Sequence, residues 1–283
     1  MRVHHLNCAT FCPWGGAVFD GRSIAPTGEL VGHVLLVETD AHGLVLVDTG
    51  FGLKDVDHPH ASPPRIPRFY RALLNIKLRV EATAARQIEA LGFRRADVRH
   101  IVVTHLDFDH AGGIEDFPNA AIHILEAEYV QATTQKRGYV QNARYRPRQW
   151  NAVADWRTYG ADGEHWFGFE AVRDLRGLPP EILMIPLPGH TSGQAGVAVR
   201  RDDGRWLLHA GDAYFYRGEV RGPKRCCTPG LRAYQLLMNT HGGQQLANQD
   251  RVRRLSVERR ADVQVICSHD PVEFERCVRG DPL

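Results

Sequence analysis

The sequence predicts an α/β protein, and two observations support that prediction. Apolar runs rich in β-branched residues, typical of buried strands, occur at 33–38, 44–47, 100–104, 121–125, 182–187, 196–199, 206–209 and 263–267. Helical patterns lie between several of them, at 81–91, 126–135 and 244–260, and the first ends at Gly92, a residue typical of helix C-termini. Strands that alternate with helices are the pattern of an α/β fold.

The composition favours one globular domain spanning 1–283. The chain has 283 residues, 43% of them hydrophobic and 24% charged, without a low-complexity segment or a clear linker. Two stretches interrupt the rhythm of strands and helices, at about 54–80 and 138–169, and the second is rich in tryptophan and tyrosine. We expect these excursions to form substrate walls, or alternatively to cover the core or to form the face of a homodimer.

Charge and cysteine content limit the partners and the compartment. The formal net charge is only +2, so no basic field favours nucleic acid. No apolar run approaches 18 residues, so we expect no membrane contact through a spanning helix. The 6 cysteines form no CxxC pair, and the N-terminus lacks the apolar core of a signal peptide. We therefore expect reduced thiols in a bacterial cytoplasm and a small-molecule substrate.

Histidine and aspartate side chains cluster directly after the run at 100–104. His105, Asp107, Asp109 and His110 follow within a few residues, and alternate positions of an extended loop point the same way. Further donors follow other predicted strands: His190, Asp212 and His269. Imidazole nitrogens and carboxylate oxygens are ligands of zinc, iron and manganese. Because sites in open α/β sheets gather at strand ends, these donors predict one metal site.

This pattern resembles the metallo-β-lactamase superfamily. The superfamily signature HxHxDH, followed by a separate His, an Asp and a final His, is matched by His105-Leu-Asp107-Phe-Asp109-His110 and then by His190, Asp212 and His269. Asp48 in LVDTG matches an early strand-end aspartate of the family, and the resemblance spans roughly residues 30–270. It implies an α/β fold with four layers, an αβ/βα sandwich.

The resemblance also implies a site with two divalent metal ions, most readily zinc, with iron or manganese as alternatives. One ion would take His105, Asp107 and His190. The other would take Asp109, His110 and His269, and Asp212 would bridge the two. Asp48 would orient a ligand from behind, and Asp109 could carry a proton to the leaving group.

The chain departs from the family pattern at several positions. Asp107 stands where a histidine is usual, so we expect a less positive site that prefers harder ions. Quorum-quenching lactonases of the superfamily place a tyrosine where this chain has Phe215, and Tyr214 or Tyr216 could take that catalytic part through a shifted loop. Gln194 replaces a histidine of several relatives, and His241 could contact substrate.

The expected function is a metal-dependent hydrolase that cleaves an ester or lactone of a small molecule with a hydroxide bridging two metals. This resembles the N-acyl homoserine lactonase branch of the superfamily. The alternatives are a phosphodiesterase, a stand-alone diiron oxidoreductase of the same fold, and a non-catalytic metal-binding protein. The chain shows no basic arm of the kind found in RNA-processing relatives, and 283 residues leave no room for a flavin module.

Overall fold

The computed structural model describes residues 1–62, 64–134, 138–171 and 175–283. Its strands are β1 (Arg2–Phe11), β2 (Leu30–Glu38), β3 (Leu44–Val47), β4 (Ile76–Lys77), β5 (Val98–Val102), β6 (Ala121–Leu125), β7 (Trp156–Tyr159), β8 (Glu164–Trp166), β9 (Phe169–Ala171), β10 (Ile182–Pro186), β11 (Ala195–Arg200), β12 (Trp206–His209) and β13 (Val263–Ile266). Its α-helices are α1 (Ala17–Asp20), α2 (Leu53–Asp57), α3 (Arg68–Leu73), α4 (Ala84–Ala90), α5 (Glu126–Thr134), α6 (Gly138–Arg144), α7 (Pro229–Met238), α8 (Gly242–Glu258) and α9 (Pro271–Arg279).

Two main sheets carry the fold. The larger sheet has the strand order β4-β1-β2-β3-β5-β6-β7, and the smaller has the order β10-β11-β12-β13. In the larger sheet, the neighbouring pairs β3 and β5, β5 and β6, and β6 and β7 are parallel. In the smaller sheet, β12 and β13 are parallel. The short strands β8 and β9 form a separate antiparallel pair. The carboxyl ends of the parallel strands therefore meet at one edge of each main sheet.

Side-chain alternation explains why the sheets pack face to face. In β2, Leu35 joins a core shared with Met184 and Val197 of the smaller sheet, whereas Leu36 points to the opposite face. That outer face of the larger sheet packs against Ile88 of α4. The outer face of the smaller sheet packs against α8. The layers are thus helix, sheet, sheet and helix, which confirms the predicted αβ/βα sandwich.

The differences from the predicted elements lie where tertiary pairing decides the structure. Every predicted strand overlaps an observed one, but the N-terminal segment, which precedes the first predicted strand, forms β1 of the larger sheet. The stretch at 54–80 contributes α3 and the edge strand β4, and the stretch at 138–169 contributes β7 at the opposite edge. Residues 63 and 135, which fall inside predicted segments, lie outside the described residues. Among the described residues, no helix has both the length and the apolar character needed to cross a bilayer.

Candidate metal centre

The predicted donors follow strands of both sheets and meet between them. Asp48 follows β3, and the loop from His105 to His110 follows the neighbouring strand β5 of the larger sheet. Asp212 and His269 follow β12 and β13 of the smaller sheet. All seven predicted donors are brought together in three overlapping groups, in each of which the candidate ligand atoms lie within 4.8 Å of one another: His105, Asp107 and His190; Asp109, His110 and His269; and His105, His110 and Asp212. We name the first two the first and the second donor group.

In the second donor group, histidine nitrogens face carboxylate oxygens at distances longer than hydrogen bonds to charged groups usually have. His269 Nε2 lies 3.2 Å from Asp212 Oδ1 and 3.7 Å from Asp109 Oδ2. His110 Nε2 lies 3.4 Å from Asp212 Oδ1 and 3.8 Å from Asp109 Oδ2. Asp212 therefore completes this group from the smaller sheet.

Hydrogen bonds behind the histidines aim their Nε2 atoms into the group. His110 Nδ1 donates to Asp48 Oδ2 at 2.8 Å, and His269 Nδ1 donates to the carbonyl oxygen of Val31 at 2.7 Å. Asp48 is itself held by the backbone N–H and the hydroxyl of Thr104, at 2.7 and 2.8 Å. With the proton on Nδ1, each ring presents the Nε2 lone pair to the centre.

Several donor atoms here are buried without a hydrogen-bond partner. They are His105 Nε2, His110 Nε2 and Asp212 Oδ1. A buried polar atom left unpaired costs about 1–3 kcal/mol, so three together need an explanation. A divalent cation held by the second donor group and Asp212 accounts for two of them, His110 Nε2 and Asp212 Oδ1, because these nitrogen and oxygen atoms are zinc, iron or manganese ligands. The residues of this group therefore fit a metal ion.

The carboxyl groups of Asp109 and Asp212, which both face the histidines of the second donor group, differ in proton affinity. Burial raises the pKa of Asp109. Burial acts in the same direction on Asp212, but His269 and His110 outweigh it and hold the pKa of Asp212 well below its usual range. Without a bound cation, Asp109 is therefore the carboxyl group of this pair that holds a proton more readily.

The first donor group contacts a residue that the sequence analysis missed, the fully buried Arg144. Its Nε donates to Asp107 Oδ1 at 2.5 Å, and its Nη2 donates to Asp107 Oδ2 at 2.6 Å and to His190 Nε2 at 2.5 Å. Its Nη1 donates to the backbone carbonyls of His190 and Met238 at 3.1 and 2.9 Å. One signal pointed to it: an aspartate in place of a neutral donor calls for a balancing cation, and the stretch at 138–169 carries arginines.

Arg144 overturns the expectation that Asp107 makes the site less positive. Burial acts to raise the pKa of Asp107, but Arg144, together with His105, holds it well below its usual range, so the carboxylate is ionised. The guanidinium cancels its charge. The site therefore carries the same net charge as one with the usual neutral histidine, and charge alone gives no preference for a harder ion.

A narrow, largely apolar cleft leads to the second donor group. Asp109 and His269 form part of its lining, together with side chains from the larger sheet, from the loop after β12 and from α7: Phe11, Leu30, Phe215, Leu231 and Tyr234. Phe215 stacks on His269 with ring centroids 5.2 Å apart. The cleft therefore borders the second donor group.

The tyrosines expected near the centre lie elsewhere. Tyr214 is fully buried, and its hydroxyl donates to Glu273 Oε2 at 2.9 Å, away from the donor groups. The ring of Tyr216 packs under the guanidinium of Arg217. Tyr234 of α7 reaches the cleft instead, where burial and the nearby Asp109 raise its pKa well above the usual value and keep its hydroxyl protonated.

Two further residues singled out in the sequence take other positions. Gln194 is buried and donates from Nε2 to the carbonyl oxygen of Ala210 at 3.1 Å. His241 is exposed, and its Nε2 lies 3.2 Å from the hydroxyl of Ser192.

Comparisons with known proteins agree with this architecture. The family model of the metallo-beta-lactamase superfamily matches residues 27–269. A probable metallo-hydrolase of Mycobacterium tuberculosis is 43% identical over 272 residues, covering 96% of this chain and 81% of the relative. An N-acyl homoserine lactonase of Rhizobium radiobacter is 31% identical over 133 residues, covering 46% of each chain. A solved structure of an N-acyl homoserine lactone hydrolase matches the fold with a TM-score of 0.68 and 17% identity, covering 97% of this chain and 95% of that chain. The chain is thus a metallo-hydrolase and belongs to the metallo-β-lactamase superfamily.

Proposed function

We propose that this chain hydrolyses an ester or lactone bond of a small molecule, with a divalent metal ion held by Asp109, His110, Asp212 and His269. The observation that carries the proposal is the meeting of the apolar cleft with a donor group whose buried atoms lack partners. When bound, such an ion lowers the pKa of water and polarises a carbonyl oxygen, which is the chemistry that ester hydrolysis needs. Zinc is the first choice for this ligand set, and iron and manganese remain alternatives.

The cleft would bind and orient the substrate. Its apolar walls, which include Phe11, Leu30 and Leu231, suit an acyl chain or the carbon skeleton of a ring. The protonated hydroxyl of Tyr234 is placed to donate to a substrate oxygen. An apolar wall with few polar groups favours a neutral ester over a charged phosphodiester, because burying a phosphate there would leave its charge unpaired.

Asp109 would handle the proton. Its carboxyl group lines the cleft and also faces His110 and His269, so it touches both the substrate space and the donor group. Cleavage adds water across the acyl–oxygen bond: the hydroxyl goes to the acyl carbon, and a proton must reach the departing alkoxide. A carboxylate at this position can take that proton from water and deliver it.

The similarity to N-acyl homoserine lactonases supports a lactone among the candidate substrates. The sequence also predicted a dinuclear centre. A second ion in the first donor group would have to displace Arg144 from both Asp107 and His190. The 6 cysteines are all free thiols, which supports a reducing compartment such as the cytoplasm.

The test is a panel of lactone, ester and phosphodiester substrates offered to protein purified without added metal. Turnover of a lactone or ester, lost on exhaustive chelation and restored by a divalent metal, is the expected result. A protein verified as metal-free that retains full turnover would refute the metal mechanism. Turnover confined to the phosphodiesters would refute the proposed substrate class.

A further inference from the structure

We infer that the guanidinium of Arg144 stands in the place of one of the two metal ions, so that each chain binds one divalent ion in the second donor group. The inference concerns the number of ions and holds for whichever substrate the cleft accepts. It differs from the two-ion site that the sequence predicted.

Two of the three residues of the first donor group, Asp107 and His190, direct their lone pairs at Arg144. Both carboxylate oxygens of Asp107 accept charge-assisted hydrogen bonds from it, at 2.5 and 2.6 Å. His190 Nε2, the atom that would bind an ion, accepts from the same guanidinium at 2.5 Å, while its Nδ1 faces Asn239 Oδ1 at 3.4 Å. Only His105 Nε2 is left without a hydrogen-bond partner in this group. One remaining nitrogen does not make a metal site.

The guanidinium is itself fully satisfied where it lies. Arginine carries five N–H donors, and here Nε supplies one bond while Nη1 and Nη2 supply two each. A metal entering the first group would have to strip the guanidinium of its bonds to Asp107 and His190. It would also bring two positive charges against a buried cation.

The chain around Arg144 holds it in place. The backbone of Tyr145 forms a β-bridge with that of Asp107, and the buried hydroxyl of Tyr145 donates to Gln131 Oε1 at 3.0 Å. Four residues further on, Gln149 Nε2 donates to the carbonyl oxygen of Phe108 at 3.0 Å. This segment is therefore attached to the loop that carries the donors, which fixes the position of the backbone from which the Arg144 side chain extends.

Charge distinguishes the two groups. Arg144 neutralises Asp107, whereas Asp109 and Asp212 face histidine nitrogens instead. Their two negative charges match one divalent cation. The cleft also leads to the second group, because its lining includes Asp109 and His269. One ion at that position is therefore balanced in charge.

The experiment measures metal per chain by elemental analysis, after loading with excess zinc and removal of loosely bound ions. Cobalt titration of the apoprotein, followed by its absorption spectrum, gives an independent count. We expect one ion per chain in the wild type and in Arg144→Lys, which keeps a cation. We expect two in Arg144→Ala, because the freed Asp107 and His190 then join His105 as ligands. We expect one in Asp107→Asn, because Asp107 is not a ligand in the wild type.

A control variant removes a partly buried arginine that also pairs with a carboxylate. Arg221 pairs with Glu273 through contacts of 2.7 and 3.1 Å and touches none of the seven donors, so Arg221→Ala should leave the count at one. Two ions per chain in the wild type would overturn the inference, and so would a count that stays at one in folded Arg144→Ala. If that variant does not fold, anomalous scattering from zinc in wild-type crystals decides. One peak beside Asp109 supports the inference, and a second peak between His105 and His190 overturns it.

The metal count and the proposed function can fail separately. A protein with one ion that turns over no lactone or ester would contradict the proposed function and leave the inference standing. An active lactonase with two ions per chain would support the proposed function and overturn the inference about the number of ions.

Discussion

Replacing Asp48 with asparagine is expected to weaken metal binding while leaving the fold intact. An asparagine oxygen can keep the bond from the backbone N–H of Thr104, which turns its amide NH₂ toward His110 Nδ1. A donor facing Nδ1 favours the imidazole tautomer with its proton on Nε2, and that atom then has no lone pair for a metal. The substitution thus removes the lone pair of His110 Nε2, the ligand atom, by changing the group that faces Nδ1 on the other side of the ring.

The expected loss of metal affinity follows from the role of Asp48 behind the ligating His110. Removing the partner behind a ligating histidine typically costs ~10–100-fold in metal affinity, which corresponds to about 1.4–2.7 kcal/mol. Asp48 has a φ of 59°, a left-handed conformation that asparagine accepts more readily than most residues. The substitution therefore adds little backbone strain, and the loss should appear in metal binding.

The assay is competition for zinc against a chelating indicator, with the thermal midpoint of the apoprotein measured alongside. Asp55→Asn is the matched control, because Asp55 is equally buried and accepts hydrogen bonds from Gly52, Arg65 and Gln149 at 3.0, 2.8 and 3.1 Å. It should lower stability and keep zinc affinity. A zinc affinity of Asp48→Asn within about threefold of the wild type, well short of the ~10-fold minimum expected, would refute the tautomer argument. An equal loss in both variants would refute it too.

Three further predictions concern the cleft, the buried histidines and a turn. Tyr234→Phe should lower lactone turnover by ~10–100-fold at unchanged metal content, because it removes a hydrogen bond to the substrate oxygen that gains charge but keeps the ring against Phe215. Steady-state kinetics measure the turnover and elemental analysis measures the metal content. An unchanged kcat would exclude Tyr234 from the reaction. Burial lowers the pKa of His123 to about 3, so the unfolded chain takes up a proton that the folded chain refuses, and stability falls as pH drops from about 6.5 toward that value. Urea titrations should show this slope reduced by up to about 1.4 kcal/mol per pH unit in His123→Gln, and an unchanged slope would contradict it. Gly50→Ala should destabilise the protein by about 3 kcal/mol, since Gly50 has a φ of 66° and an added Cβ would overlap Cys8; a thermal midpoint equal to that of the wild type would contradict this.

Sequence patterns predicted the elements whose burial is visible locally. The run at 44–47 is buried on both faces and is apolar throughout, so it identified β3 without knowledge of its neighbours. The segment Arg2–Phe11 has mixed burial and no continuous apolar run, and it becomes β1 through pairing with β2 and β4. Such pairing is a long-range property that a single segment does not display.

The same distinction holds for the site. The seven donors were predictable because each follows a buried strand, and strand ends converge. Arg144 was not, because its position depends on a bridge between Tyr145 and Asp107, which are far apart in the sequence. Tyr234 was missed for a similar reason: it enters the cleft from α7, whereas the family pattern points to the residues that directly follow Asp212.

The division of the second site between the sheets has a mechanical consequence. Asp109 and His110 belong to the larger sheet, while Asp212 and His269 belong to the smaller, and about a hundred residues separate Asp109 from Asp212 along the chain. An ion bound by all four cross-links the two halves much as a disulfide would, and closing a loop of that length removes conformational entropy mainly from the unfolded chain. An ion bound there for hydrolysis would therefore also stabilise the fold. Its loss should let the two sheets separate more easily at the edge where the substrate enters.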